Sequence, residues 1–172
     1  MKTLVVYYSY TGNTEFAARV IAQELKADLR RIEDAEEHSR ACVYTFGILS
    51  ALRGARGAVK PMDFTVGVYD RVLVGSPVWA GSPAPAVNTF IARTDFAGKT
   101  VIPFATSGGG GSAGALKKMS ARIARRGGKV LCVFSLEPAD KTNEKIAAKI
   151  KEILKEKEFQ SSQDAAAAAK RR

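Results

Sequence analysis

The stretch that decides the fold is Leu4-Val5-Val6-Tyr7-Tyr8, which runs directly into Ser9-Tyr10-Thr11-Gly12-Asn13-Thr14. The first five residues are apolar, β-branched or aromatic, and this pattern predicts a strand that is buried on both faces. The next six are mostly small hydroxyl, amide and glycine residues, which favour a turn. Apolar residues at helical spacing then predict a helix that begins inside this turn; they are Phe16, Ala17, Val20, Ile21 and Leu25.

A buried strand, a hydroxyl-rich turn and a helix N-terminus indicate a site for an anion. Backbone N–H groups and hydroxyls converge there, and the helix dipole adds about half a positive charge. The turn contains no Lys or Arg, so a phosphate would be held by hydrogen bonds and the dipole. The turn lacks the Gly-Lys-Ser/Thr ending of ATP and GTP sites, and its single glycine, Gly12, does not form the glycine pattern of dinucleotide sites. An ordinary strand-to-helix turn is the alternative.

Length and composition indicate one soluble globular domain. The chain has 172 residues, of which 46% are hydrophobic and 26% are charged, and its net charge is +10. No apolar run approaches the roughly 20 residues that a membrane-spanning helix needs. Cys42 and Cys132 have no metal-ligand spacing, which favours reduced thiols and a cytoplasmic protein. The single histidine, His38, argues against a histidine-rich metal site or a hydrolytic triad.

Strands and helices alternate along the rest of the chain. Further strands are predicted over 27–33, 72–74, 101–105 and 130–134, with a short helix over 46–52. This alternation predicts an α/β fold with a parallel sheet that helices cover on both faces.

The predicted helices include one that Ser82 caps, with Pro83 at its first position. The last helix places apolar residues on one face and lysines opposite. Beyond it, Gln, Ser and Ala replace the apolar pattern. We therefore expect a single domain over 1–158 and a disordered tail over 159–172.

Two further turns carry unusual residues. Trp79 lies between two prolines, where its ring could stack on a planar ligand; the alternative is an indole folded onto the sheet edge. The glycine run after the fourth predicted strand allows a ligand to approach the backbone closely; the alternative is a flexible surface loop. The candidate binding residues of these two turns are Pro77, Val78, Trp79, Ala80, Gly81, Thr106, Ser107, Gly108, Gly109 and Gly110.

Two motifs of this sequence resemble those of flavodoxins. The turn from Ser9 to Thr14 is similar to the phosphate loop of that family, and the segment from Gly75 to Pro85 is similar to a pattern of a subgroup of flavodoxin-like proteins. The resemblance loosely covers residues 1–158. It implies a flavodoxin-like three-layer sandwich whose five-stranded parallel sheet has the order 2-1-3-4-5, of which flavodoxin is itself a standard example. In that order, the turns after strands one, three and four meet at one edge of the sheet.

The resemblance also implies that this edge binds flavin mononucleotide, FMN. Trp79 would lie against the isoalloxazine ring. Many flavodoxins carry a second aromatic residue on the other side of the ring, but the loop from Thr106 to Gly114 has none. One ring face is therefore expected to be open. The residues expected around the phosphate are Ser9, Thr11, Gly12, Asn13 and Thr14, and Tyr10 of the same loop is a further candidate cofactor-binding residue.

These motifs support an FMN-binding redox protein that carries electrons for a redox partner protein. The alternative is an NAD(P)H-dependent reductase of a quinone or of FMN, because an open ring face admits a planar reactant. No residue stands out as a catalytic acid, base or nucleophile. A third, weaker possibility is a flavin-free binding module, although the groups expected of nucleic-acid binding are not visible. We expect a monomer or a homodimer.

A basic cluster follows the glycine run. The pattern favours a solvated helix face; the alternative is a surface that steers an acidic redox partner, a phosphorylated nucleotide or nucleic acid. Its members are Lys117, Lys118, Arg122, Arg125, Arg126 and Lys129.

Three finer expectations concern the charge and conformation of the site. Ring-binding loops without Asp or Glu, in a positively charged body, predict a flavin potential less negative than that of an acidic flavodoxin. The Ala80–Gly81 peptide could turn toward the N5–H of a reduced flavin. Glu15, whose charge would oppose a phosphate, is expected to pair with Arg19, four residues on.

Overall fold

A single sheet forms the centre of the molecule. The computed structural model describes residues 1–35, 55–137 and 142–169. The strands are β1 (Thr3–Tyr8), β2 (Asp28–Ile32), β3 (Arg71–Trp79), β4 (Ser82–Pro83), β5 (Thr100–Thr106), β6 (Lys129–Val130) and β7 (Phe134–Leu136). The helices are α1 (Asn13–Leu25), α2 (Pro85–Arg93), α3 (Ser112–Arg125) and α4 (Asn143–Ala169).

The strand order confirms the predicted topology. The sheet runs β2-β1-β3-β5-β6, and each neighbouring pair is parallel. β7 also pairs with β5 in parallel, so β6 and β7 are two parts of the fifth strand, separated by residues 131–133. The fifth strand is therefore divided, whereas the sequence predicted a continuous one over 130–134. β4 pairs antiparallel with the end of β3 and forms a short hairpin.

Helices cover both faces of the sheet, as predicted. β1 is buried along its whole length, and its side chains alternate between two cores. Leu4 and Val6 contribute to the core under α2 and α3, and Val5 and Tyr7 to the core under α1 and α4. Large helix side chains complete each core; they are Phe90 and Met119 on the first face and Ile21 and Ile150 on the second.

α2 begins later than the sequence predicted. Ser82 and Pro83 form β4, and the N-cap of the helix is Ala84, followed by Pro85. The fully buried hydroxyl of Ser76 accepts the N–H of Ala84 at 3.0 Å. The prediction that Ser82 caps this helix is wrong, because pairing with the end of β3 draws that residue into the sheet.

α4 extends farther than the sequence predicted. It continues to Ala169, into the stretch where a tail was expected, and it includes the alanine run at 165–169, a residue type with the highest helix propensity. Within the described ranges, none of the helices is both long and apolar enough to cross a membrane. The short helix predicted over 46–52, together with His38 and Cys42, lies outside the described residues.

Candidate functional site

A cleft of about 970 Å³ opens at the edge of the sheet where β1, β3 and β5 end. Its volume is at the upper end of the range of small-molecule sites, about 300–1,000 Å³. The three turns that the sequence singled out all line it. The predicted residues that contribute to its wall are Tyr10, Thr11, Asn13, Thr14, Pro77, Val78, Trp79, Ala80, Gly81, Thr106, Ser107, Gly108, Gly109 and Gly110.

Two predicted residues, Ser9 and Gly12, shape the first loop from outside the cleft wall. The side chain of Ser9 is buried, and its Oγ accepts the N–H of Gly12 at 3.1 Å. Gly12 is the N-cap of α1 and has a φ of +91°, a left-handed conformation that glycine adopts without steric cost. Both residues therefore act by setting the path of the backbone.

The first turn of α1 is open to an anion. No side chain in the described part of the chain caps this helix end. Its N–H groups and the positive end of the helix dipole point out of the first turn. Thr11 and Asn13 are exposed and line the cleft beside it. The arrangement offers hydrogen-bond donors to a phosphate without a cationic side chain.

Thr14 ties the first loop to the third. Its side chain is buried, and its Oγ1 lies 2.7 Å from Oγ1 of Thr106, the last residue of β5. This hydrogen bond fixes the start of α1 against the end of a central strand. The floor of the cleft is therefore held by side chains from distant parts of the sequence.

Glu15 is paired with two arginines. Its carboxylate accepts hydrogen bonds from Arg19 at 2.7 Å and from Arg31 at 3.3 Å. The pairing with Arg19 confirms the prediction, and Arg31 adds a contact from β2. The hydrogen bond from Arg19 lowers the pKa of Glu15. These two cations offset the negative charge that would otherwise oppose a phosphate at the start of α1.

The turn after β3 is a tight hairpin. β3 continues through Trp79, which pairs with Ser82, so only Ala80 and Gly81 connect the two strands. Their φ values of +47° and +69° are those of a type I′ turn, which matches the twist of paired strands. Ala80 is one of the few non-glycine residues in the left-handed region, at a cost of roughly 1 kcal/mol.

Trp79 stands between two tyrosines at the end of β3. Tyr8 and Tyr10 contact its ring edge-to-face, with centroids 5.9 and 6.3 Å away. Burial, together with a 2.6 Å hydrogen bond from its hydroxyl to Asp34, raises the pKa of Tyr8. The expectation that Trp79 lies on a turn is wrong, because strand pairing extends to it, but its half-buried ring still lines the cleft.

The glycine loop after β5 is organised around Ser107. This buried hydroxyl donates to the carbonyl of Gly110 at 2.5 Å and accepts the N–H of Gly109 at 3.3 Å. Gly110 and Gly111 have φ values of +94° and +80°, which require glycine. Gly108 to Gly110 are exposed, so the loop presents backbone rather than side chains to the cleft.

α3 supports the hairpin tip from outside the cleft. A Cβ atom on Gly114 would lie 2.9 Å from the carbonyl oxygen of Gly81, so the two backbones meet closely. Lys118, one turn farther along α3, donates to Oγ of Ser82 at 2.5 Å and to the carbonyl of Gly81 at 3.3 Å. The Gly81 carbonyl thus faces α3 in this structure.

Several cleft residues were not found from the sequence. The extra members come from the segment after β7, from the first turn of α4 and from the flanks of predicted motifs. Glu137 adds an exposed carboxylate to the cleft wall from outside the ring-binding loops, which have none. The prediction of a fifth strand beside the fourth is the one sequence signal that could have led to Leu136 and Glu137. The missed residues are Ala17, Gly111, Leu136, Glu137, Asn143 and Ile146.

Comparison with known proteins places this chain in a family. The family model described as Flavodoxin matches residues 2–145. A Bacteroides uniformis protein classed as a flavoprotein is 32% identical, with a TM-score of 0.68 over 87% of this chain and 97% of that chain. A Lactobacillus acidophilus flavoprotein, crystallised in complex with FMN, is 26% identical, with a TM-score of 0.67 over 78% of this chain and 92% of that chain.

A more distant structure shares the fold alone. Oxidised flavodoxin 2 from Bacillus cereus is 22% identical, with a TM-score of 0.54 over 87% of this chain and 95% of that chain. No curated protein sequence matches this one. The match to the family model over most of the sequence, with the relative of 32% identity, shows that this chain belongs to the flavodoxin family.

Proposed function

We propose that this protein binds FMN in the cleft and acts as a flavodoxin-like electron carrier. The observation that carries the proposal is the convergence of the turns after β1, β3 and β5 on one cleft. FMN, when bound, supplies the electron chemistry, and the protein supplies binding, orientation and electrostatics. The FMN complex of the Lactobacillus acidophilus relative supports the choice of cofactor.

The first loop fits a phosphate. The uncapped start of α1 provides backbone donors, and the exposed side chains of Thr11 and Asn13 provide two more. Glu15 is the one acidic residue in this turn, and its pairing with Arg19 and Arg31 reduces its repulsion of an anion. A doubly charged phosphate is therefore better suited to this end of the cleft than an apolar group.

The other two loops fit a planar ring. Trp79 offers an aromatic surface that the edge contacts of Tyr8 and Tyr10 hold in place. On the glycine loop, Gly108 and Gly109 have no atom within 4 Å of a Cβ position, so a ring edge can approach the backbone closely there. We assign the ring to the space between these two walls.

A reductase on the same fold is the second candidate. The specific observation in its favour is the exposed run Gly108 to Gly110, which lines the cleft without adding a side chain to its wall. Such a wall leaves room for a planar second reactant, such as a nicotinamide or a quinone.

A cytoplasmic location is also part of the proposal, since Cys42 and Cys132 lack the spacing of a disulfide framework.

Titration of the apo-protein with FMN and with riboflavin tests the cofactor and the role of the first loop. We expect FMN to bind more tightly than about 1 μM and riboflavin, which lacks the phosphate, at least about tenfold more weakly. Quenching of flavin fluorescence measures both. Equal affinities would contradict the assignment of the first loop, and no binding of either would overturn the proposal.

Anaerobic stopped-flow mixing of the FMN-loaded protein with NADPH separates the two candidates. A carrier keeps its flavin absorbance, whereas rapid bleaching supports the reductase.

A redox titration of the same sample tests the expected potential. The net charge of +10, with Lys118 beside the hairpin, favours a potential less negative than that of an acidic flavodoxin, and Glu137 opposes this trend.

A further inference from the structure

The charges of this protein are unevenly divided between two regions. The sequence from Phe96 to Leu136 contains seven Lys and Arg residues and no Asp or Glu. At the opposite edge of the sheet, cations lie beside acids. Arg30 pairs with Asp63 and Lys60 with Glu33. Much of the net positive charge therefore lies on the α3 side of the molecule.

The cations of α3 begin at the rim of the cleft. Lys118, Arg122 and Arg125 are spaced i, i+4 and i+7, which puts them on one face of the helix. Gly114, one turn before Lys118 on the same face, meets the hairpin tip at Gly81. The row thus starts where the hairpin borders the cleft and extends away from it by about 10 Å.

Neutral groups, and not carboxylates, bind two of these side chains. Lys118 binds the hydroxyl of Ser82, and Arg122 donates to Oδ1 of Asn88. Asn88 in turn donates to the carbonyl of Ala55, which brings the neighbouring Arg56 to the same surface. In the part of the chain that the structure describes, none of these cations has a carboxylate within ion-pair distance.

Mutual repulsion accompanies this arrangement. Burial, and then the charges of Arg125 and Arg56, lower the pKa of Arg122. The three guanidinium groups thus repel one another, with no compensating carboxylate among the described residues. Of the cations that the sequence assigned to a solvated face, Lys118, Arg122 and Arg126 instead bind back to the protein, Arg126 through the carbonyl of Thr94. The surface is consequently positive and partly pre-organised.

We propose that Arg56, Lys117, Lys118, Arg122 and Arg125, here called the basic face, form the docking surface for an acidic redox protein. The inference rests on the proposed function, since it supplies a partner for an FMN carrier. A row of about 10 Å, with flanking cations, is longer than a single phosphate and suits an acidic protein surface. Docking there places the partner beside the cleft rim, where it gives one electron to bound FMN or takes one from it, and no covalent bond changes.

The test measures binding of an acidic plant-type [2Fe–2S] ferredoxin, in its oxidised form, to the FMN-loaded protein by titration calorimetry. Measurements at about 10 mM and about 150 mM ionic strength change the screening length from about 30 to 8 Å. The variant Arg56→Glu/Arg125→Glu reverses two charges of the basic face, and both side chains are exposed. The matched control Lys26→Glu/Lys155→Glu reverses two exposed charges, one just after the C-terminal end of α1 and one on α4, on the other side of the sheet.

We expect the parent to bind ferredoxin at low ionic strength and at least about tenfold more weakly at high ionic strength. The basic-face variant should bind at least about tenfold more weakly than the parent at low ionic strength, and the control less than about threefold. Equal weakening by both variants would show only an effect of net charge and overturn the proposal. Equally tight binding of a basic cytochrome c would also overturn it.

Two further measurements distinguish the docking surface from the proposed FMN-binding function and from a nucleic-acid surface. All three proteins are first titrated with FMN, because loss of FMN binding by the parent contradicts the proposed function and not the docking surface. Normal FMN binding without selective ferredoxin binding contradicts the docking surface alone. Binding of double-stranded DNA that survives about 150 mM salt and is lost in Arg56→Glu/Arg125→Glu would identify the basic face as a nucleic-acid surface and overturn the proposal.

Discussion

The two ends of the cleft, the first loop and the glycine loop, differ in what holds them in place. At the first loop, buried side chains form the hydrogen bonds: Ser9 accepts the N–H of Gly12, and the hydroxyl of Thr14 bonds to that of Thr106. At the glycine loop, the backbone faces the cleft, and its main side-chain support is Ser107. We call the first loop the rigid end, because a side-chain hydrogen bond ties it to a central strand, whereas the second end presents the backbone of a short exposed loop. For the proposed binding mode, this difference predicts specificity for the phosphate and tolerance at the ring.

Disrupting the rigid end should have the largest effect. Thr14→Leu removes the hydrogen bond to Thr106 and adds bulk at a position that is 1% exposed. We expect FMN affinity to fall about 100-fold, equivalent to about 2.7 kcal/mol. Thr14→Ser keeps the hydroxyl and should retain most of the affinity. Circular dichroism of both apo-proteins establishes that the fold is intact, and a folded Thr14→Leu that binds FMN normally would contradict the role of this loop.

Two glycine substitutions test the rest of the cleft, one on the helix that supports the hairpin and one in the glycine loop. In Gly114→Ala the new Cβ would meet the Gly81 carbonyl at 2.9 Å, so the hairpin tip must shift. We expect a loss of about 1–3 kcal/mol in unfolding free energy and about tenfold weaker FMN binding. Gly109→Ala meets no atom within 4 Å and should leave apo-protein stability within about 0.5 kcal/mol.

FMN affinity then distinguishes support of the cleft from contact with the ligand. If the glycine loop approaches the ring through its backbone, Gly109→Ala should weaken FMN binding while the melting temperature of the apo-protein stays unchanged. Unchanged affinity in Gly109→Ala would show that this part of the loop remains distant from the ring. Equal melting temperatures for Gly114→Ala and the parent would contradict the close packing of α3 on the hairpin.

The sequence predicted the rigid end well because its signals are local. A buried strand, a polar turn and an amphipathic helix follow one another between Leu4 and Leu25, and the sheet order follows from the alternation and the family resemblance. The extension of β3 through Trp79 depends on pairing with β4, which no local pattern marks. Glu137 reaches the cleft only because β7 lies beside β5, a contact between distant segments.

Conformational strain at the hairpin supplies a smaller test. Ala80 has a φ of +47°, and replacing it with glycine removes the steric cost of that conformation. We expect Ala80→Gly to raise the unfolding free energy by up to about 1 kcal/mol, reduced by the greater entropy of glycine in the unfolded chain. Thermal unfolding of the apo-protein measures this, and Ala80→Val should shift stability in the opposite direction. Destabilisation by Ala80→Gly would contradict the type I′ geometry.

The smallest effect is expected at Glu15. Its charge influences both the stability of the fold and the binding of a phosphate, and the pH dependence of stability isolates the first of these. Its pKa is lowered in the folded protein by the hydrogen bond from Arg19, so its ionised form favours folding above the pKa of the unfolded chain. That contribution is lost as the pH falls through the folded pKa. Glu15→Gln should therefore be slightly less stable than the parent at pH 7, and the gap should narrow once the pH falls below the pKa of an unperturbed Glu, about 4.3.

FMN affinity of Glu15→Gln at pH 7 shows whether Arg19 and Arg31 fully compensate the carboxylate. Complete compensation predicts an affinity within about twofold of the parent, since little net charge is then felt at the start of α1. Much tighter binding would mean that the carboxylate still repels the phosphate and that α1 binds its anion against a local charge. The basic charge elsewhere on the molecule would then be a long-range aid to the first loop, and the affinity gap between parent and variant should widen as ionic strength is lowered.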